Sequence, residues 1–166
     1  MDTMQGLKRT CYCGETEGIG STVTVGGFVQ KIRDLGNLIF IDLRDKTGIV
    51  QLAFDDGTDR SVFEKASSCR SEFVVMAKGV VRERESKNPD IKTGNIEVYV
   101  DDLRILSKAQ TPPFEITDKT NVNEELRLKY RYLDLRRGVL QNNLIMRSKV
   151  AKAARDYYMD NGFIEI

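Results

Sequence analysis

Phe40 and Gln51 are the side chains whose types and spacing suit a defined chemistry. An aromatic ring can stack on any base, and a carboxamide can pair with one base edge, so the two together suit an unpaired nucleic-acid strand. Both lie in Ile32 to Phe54, which reads IRDLGNLIFIDLRDKTGIVQLAF. Strand side chains alternate faces, so Ile39, Ile41 and Leu43 would point one way and Leu38, Phe40, Asp42 and Arg44 the other. After a turn at Asp45-Lys46-Thr47-Gly48, Val50, Leu52 and Phe54 would point inward, and Ile49, Gln51 and Ala53 outward. Ring and amide then share a hydrophilic surface. The plain alternative is an incidental surface phenylalanine beside a solvated glutamine.

Composition removes several other chemistries. With 26 Lys and Arg against 25 Asp and Glu the net charge is +1, so nucleic-acid binding must come from local patterning and not from a bulk basic footprint. The absence of histidine excludes Ser-His-Asp and Cys-His catalysis and a Cys/His zinc site, and no metal site is expected. Three cysteines, Cys11, Cys13 and Cys69, cannot make a full disulfide framework, and the first two read as reduced thiols near a loose N-terminus. No apolar run is long enough to span a membrane and no signal-peptide core is present, so the protein reads as cytoplasmic, without a membrane partner.

The elements that must position Phe40 and Gln51 follow from pattern. Residues 1–20 read as a lead-in with at most one helical turn. A first strand starts near Thr22, with Gly26-Gly27 inviting a bulge, and the register from Phe28 to Arg33 stays open between Phe28 and Val29 as the core residue. Asp34 to Asn37 turns into strands two and three. Arg60 to Ser68 has Val62, Phe63 and Ala66 at helical spacing. Phe73 to Arg84 reads as strand four with a bend at Gly79, Glu85 to Asn95 as a polar hairpin loop, and Glu97 to Ser107 as strand five. In strand five Ile96, Val98 and Val100 would face the core, with Glu97 and Tyr99 outward. The fold is mainly β, a five-stranded OB-type barrel with a short helix between strands three and four, whose strands two and three carry the binding face.

Tandem Pro112-Pro113 lies in a linker over 109–120, between a barrel domain at 1–108 and a helical segment at 121–166. Residues 108–166 hold 11 basic and 8 acidic groups, so the basic excess follows the linker. Asn121 with Glu124 would start one helix through ELRLKYRYLDLRR, with Leu126, Tyr130 and Leu133 on one buried face. A second helix would run from about Gln141 to Asp160, apolar along Met146, Val150, Ala154 and Tyr157, and stop at Asn161-Gly162. Phe163 to Ile166 would open a strand, and the sequence therefore reads as part of a longer protein.

RDLGNLIFIDLRDKTGIVQL (Arg33 to Leu52), TGNIEV (Thr93 to Val98) and LRLKYRYLDLRR (Leu126 to Arg137) together closely resemble the N-terminal region of bacterial aspartyl-tRNA synthetases. Lysyl and asparaginyl enzymes are similar in outline. The resemblance implies an anticodon-binding barrel, a hinge and the first long helix of a class II catalytic domain, the helix associated with dimerisation. It implies that Phe40 stacks on the middle anticodon base, a uracil, whose edge Gln51 hydrogen-bonds, and that Glu97 receives donors from the first base. Arg33, Arg82 and Arg84 would contact phosphates or the first base, with Asn88 a further contact in the loop before strand five. Where relatives often carry an aromatic residue just past the glutamine, this chain has Ala53. Leu35 and Lys87 look more like the kind restricted to tRNA(Asp) than the kind that also charges tRNA(Asn). The parent enzyme would use ATP and Mg2+ to activate aspartate, while this chain would hold no catalytic residue and no cofactor. A free-standing single-strand-binding barrel, or an interaction module without nucleic acid, are the readings from other classes. Read only as residues, Arg82 and Arg84 could pair with the neighbouring Glu83 and Glu85 along a solvated strand edge.

Overall fold

In a computed structural model describing residues 1–166, five strands close a barrel. They are β1 (Thr22–Asp34), β2 (Ile39–Arg44), β3 (Ile49–Phe54), β4 (Val74–Glu83) and β5 (Ile96–Ser107), with helix α1 (Arg60–Ser68) between β3 and β4. The strand order is β1-β2-β3-β5-β4, with β3 and β5 parallel and β1 pairing β4 along one half and β2 along the other. The alternation expected for β2 and β3 holds inside the barrel. Ile39, Ile41, Leu43, Val50, Leu52 and Phe54 are fully buried in one core with Val98 and Val100. Asp59 caps α1 by accepting from the Ser61 N–H at 2.8 Å, and Ala66 is buried while Val62 and Phe63 pack partly against that core.

In β1 the structure settles an open register and moves the expected bulge. Val29 is the core residue and Phe28 is exposed. The bulge falls between Val29 and Lys31, not at Gly26-Gly27, which pair regularly with Met76 and Val75. Gly27 is needed for close approach, since a Cβ there would collide with the Arg44 carbonyl of β2. The true bulge has a positional consequence. An added residue shifts the parity of every side chain after it, so Arg33 turns to the face that carries Phe40 while Ile32 packs toward the core.

The N-terminal segment is held down. A single 3-10 turn, Cys13–Glu15, is tied to the β2–β3 turn: Cys13 N–H donates to Asp45 Oδ2 at 2.8 Å and Gly14 N–H to Thr47 Oγ1 at 2.9 Å. The three cysteines are free thiols, and Cys13 and Cys69 lie in the core, where burial raises both, Cys69 to about 11. Burial also works against the charge of Asp45, but the Cys13 and Thr47 N–H groups and the Thr47 hydroxyl outweigh it and hold this carboxyl below its ordinary value. A carboxylate depressed on folding stabilises the fold above its unfolded value near ~4 and loses that contribution as pH falls through the folded value. Asp45→Asn should therefore lower the melting temperature at pH 7 and flatten its fall between about pH 5 and 2, measured by thermal unfolding across that range. An unchanged pH profile would count against the tie.

The chain divides into two compact units, Met1–Thr111 and Pro112–Ile166. The second holds α2 (Glu124–Lys129), α3 (Arg131–Asp134) and α4 (Gly138–Asp160). The expected single helix through residues 124–137 is thus two. Asn123, not Asn121, caps α2, and the backbone breaks at Tyr130, with φ −108° and ψ 46°. The break lets the Tyr130 and Tyr132 rings meet edge to face at 6.4 Å, a contact a continuous helix denies to residues two apart. Leu133 is buried, and so is Asp134, which meets Arg131 and Arg137 at 2.9 Å each. Met146, Val150, Ala154 and Tyr157 on α4 are exposed. Residues 163–166 form no strand, because this unit offers no strand to pair with; Phe163 instead folds back, its N–H on the Tyr158 carbonyl at 3.0 Å. No helix is long and apolar enough to cross a membrane.

Candidate nucleic-acid interface

Pairing register writes two rows of side chains across the outer face of the barrel. Asp42, Gln51, Glu97 and Arg82 stand opposite one another in one row, and Arg33, Phe40, Ala53 and Tyr99 in the next. Phe40 and Gln51 are therefore diagonal neighbours on one face, a spacing that a ring can bridge. Above them lies a cleft of about 460 Å3 whose walls include Arg33, Phe40, Gln51, Arg82, Arg84 and Glu97. Six of the seven residues singled out from sequence meet there.

Asn88 is not on those walls. Its Oδ1 accepts from the Asp90 N–H at 3.0 Å and its N–H donates to the Gly94 carbonyl at 2.9 Å, so it shapes the β4–β5 loop. Leu35 is exposed in the β1–β2 turn, and Lys87 pairs with Glu83 at 2.7 Å.

Outward orientation did not mean solvent exposure. Gln51 is 3% exposed and Glu97 5%, because charged neighbours cover them. The Gln51 Oε1 accepts from Arg33 Nη2 at 2.6 Å, and its Nε2 donates to Glu97 Oε2 at 2.6 Å. Arg33 also meets Asp42 at 3.1 Å and lies over the Phe40 ring at 5.4 Å. On the other side Arg82 Nε donates to Glu97 Oε1 at 2.8 Å, and the same guanidinium lies over the Tyr99 ring at 4.4 Å and meets Asp55 at 3.5 Å. Ala53, between Phe40 and Tyr99 in its row, is fully buried.

Asp42, Asp55 and Tyr99 belong to this network and were not singled out from sequence. The outward parity of Asp42 and Tyr99 was readable, but their partners on other strands were not. Partial burial works against the Asp55 carboxylate, yet the Tyr99 hydroxyl at 2.7 Å, the Gly57 N–H and Arg82 hold it below its ordinary value. Tyr99 is correspondingly raised, by partial burial and by that carboxylate.

Of the two arginines on or beside β4, Arg82 pairs with carboxylates as the plain reading had it, though with Glu97 and Asp55 and not with Glu83 or Glu85. Arg84 is different. Only 7% exposed, it lines the cleft with its Nε lacking a hydrogen-bond partner. A buried guanidinium donor left unsatisfied is costly, and an anionic or carbonyl oxygen entering the cleft would relieve it. The face thus offers a half-exposed ring, an amide, a carboxylate and cationic donors within one depression. That is the equipment for holding an unpaired nucleotide by stacking and edge hydrogen bonds.

Residues 23–106 match the family described as OB-fold nucleic acid binding domain, and residues 123–166 match tRNA synthetases class II (D, K and N). The chain belongs to the first of these families, which covers its whole barrel from β1 to β5. Across nearly its full length it is also similar to bacterial aspartate–tRNA ligases. It is 53% identical over 169 aligned residues, 99% of this chain, to the aspartate–tRNA(Asp/Asn) ligase of Caldanaerobacter subterraneus subsp. tengcongensis. It is 53% identical over the same share to the aspartate–tRNA ligase of Ruminiclostridium cellulolyticum. The chain spans 28% of the length of each. Among solved structures, the asparaginyl-tRNA synthetase of Pyrococcus horikoshii complexed with asparaginyl-adenylate superposes with TM-score 0.80 at 27% identity, over 96% of this chain and 36% of that one.

Proposed function

We propose that the barrel reads the anticodon loop of tRNA(Asp) and that the whole protein is an aspartate–tRNA ligase of the cytoplasm, acting as a homodimer. The observation that carries this reading is the cleft in which Arg33, Phe40, Gln51, Arg82, Arg84 and Glu97 converge from all five strands and the residue following β4. On this reading Phe40 stacks on the middle base and Gln51 bonds its edge. Glu97 accepts donors from the first base, and Arg84 with Arg33 and Arg82 faces backbone or base oxygens. Asn88 acts by shaping the loop beside them.

The whole enzyme would activate aspartate with ATP and Mg2+ and pass it to the tRNA. In this chain no group of three or more Asp, Glu or Cys side chains converges. Its contribution is selection of the tRNA.

Titration of the full chain with an anticodon stem-loop containing GUC, against a scrambled loop at fixed salt, should show a preference of at least about tenfold. Mismatched bases typically cost about 1–3 kcal/mol each. Equal affinity for both loops would reject the reading and leave the salt-dependent binding of an unselective single-strand binder.

A further inference from the structure

Resting on that reading, we propose that Asp42 at one end, and Tyr99 with Asp55 at the other, are positioning residues. They hold the Gln51 carboxamide in one orientation and so make it separate uracil from cytosine at the middle anticodon position.

A carboxamide has nearly the same shape after a half-turn that exchanges its oxygen and nitrogen, so its neighbours decide which way it points. Here the oxygen faces a guanidinium and the nitrogen faces a carboxylate, each at 2.6 Å. The reversed amide would set N–H groups against Arg33 and its oxygen against Glu97, replacing two charge-assisted hydrogen bonds with two repulsive contacts. Each neighbour is itself held. Asp42, directly opposite Gln51 on β2, meets Arg33 at 3.1 Å. Glu97 is fixed through its second oxygen by Arg82, which lies between the Tyr99 ring and Asp55; the Tyr99 hydroxyl and the Gly57 N–H in turn fix Asp55. The amide is thus clamped between two arms, each ending in a carboxylate.

An amide oxygen can accept twice and an amide nitrogen can donate twice, so after these contacts Gln51 keeps one acceptor position and one donor. Uracil presents an N–H donor beside a carbonyl, whereas cytosine presents a ring-nitrogen acceptor beside an amino donor. The order is reversed between them. An amide free to turn would serve both bases; one that is locked serves one. Discrimination between the two pyrimidines therefore resides in the clamp and not in Gln51 alone.

The test uses the full chain and stem-loops differing only in U or C at the middle position, titrated at one salt concentration. The unaltered protein should favour U at least about tenfold, and Asp42→Asn, Asp55→Asn and Tyr99→Phe should each reduce that ratio by about three- to tenfold. Asp42→Glu, which keeps the charge, should restore most of it. Tyr99→Phe retains the ring under Arg82 and removes only the hydroxyl, so it remains informative if a charge variant folds poorly.

A merely structural role would weaken both loops alike, and an unchanged U-to-C ratio in all three variants overturns the proposal while leaving the anticodon reading intact. An unaltered protein that does not prefer the GUC loop overturns the reading itself. The clamp can also be observed without RNA. The two Gln51 side-chain amide protons should be well dispersed and slow to exchange in NMR spectra, and should collapse toward free-amide behaviour in Asp42→Asn. Free-amide behaviour in the unaltered protein would also overturn the proposal.

Discussion

Phe40→Ala should weaken binding of the GUC stem-loop by about 1–3 kcal/mol, roughly 5- to 150-fold in Kd, the range seen when a base loses its aromatic platform. The ring stands half-exposed on the outer face of β2 while its neighbours Ile39 and Ile41 are fully buried, so its removal opens no cavity in the core. It does remove the surface over which the Arg33 guanidinium lies at 5.4 Å, and that arginine is one of the two contacts on the Gln51 amide. Truncation thus strikes stacking directly and edge recognition at one remove. The melting temperature should move little. Phe40→Leu, which keeps apolar bulk without the π-face, should fall between the two in affinity. Titration at fixed salt, paired with thermal unfolding, reads both effects, and wild-type affinity in Phe40→Ala would remove the aromatic from the site.

The second large effect lies in the other unit and concerns stability. Asp134→Ala should destabilise Pro112–Ile166 by about 3–5 kcal/mol, because removing one partner of a buried ion pair leaves the other charge uncompensated. Asp134 is fully buried, and the side chain of Arg137 is only 10% exposed. Arg137 also donates to the Thr117 and Asp118 carbonyls at 3.0 and 2.9 Å, and Asp118 in turn accepts from the Val139 N–H where α4 begins. One carboxylate therefore supports the entry segment, α3 and the start of α4 together. Hydrogen exchange should show lost protection over about residues 117–139 while barrel amides keep theirs, since every bond named lies inside this unit. Asp134→Asn, which keeps the shape but halves the acceptor capacity, should fall between the two. Full retained protection in Asp134→Ala would show that the arginines find other partners.

For the reading face, much was legible locally. Alternation over Ile39–Arg44 and Ile49–Phe54 is a property of each extended backbone by itself, so it correctly put Phe40 on the face opposite Ile39, Ile41 and Leu43, and Gln51 on the side of Phe40. The spacing of Val62, Phe63 and Ala66 likewise marked α1 with its observed limits. The resemblance carried by FIDLRD and YRYLDLRR pointed to a family that the matched domains and relatives bear out.

What depends on a partner strand was decided only by the fold. The bulge after Val29 arises from how β1 pairs with β2, and it alone turns Arg33 toward the cleft. The burial of Gln51 comes from the parallel pairing of β3 with β5, which brings Glu97 beside it from a distant part of the chain. The same limit explains the helical unit. Period-three-and-four spacing suggested one helix through Tyr130, and the run after Gly162 suggested a strand, but the backbone breaks at Tyr130 and this unit holds no strand to pair with the second. Sequence by itself determined which way each side chain leaves its own strand. Tertiary structure decided what it meets there, because register, bulges and buried ion pairs are properties of two segments at once.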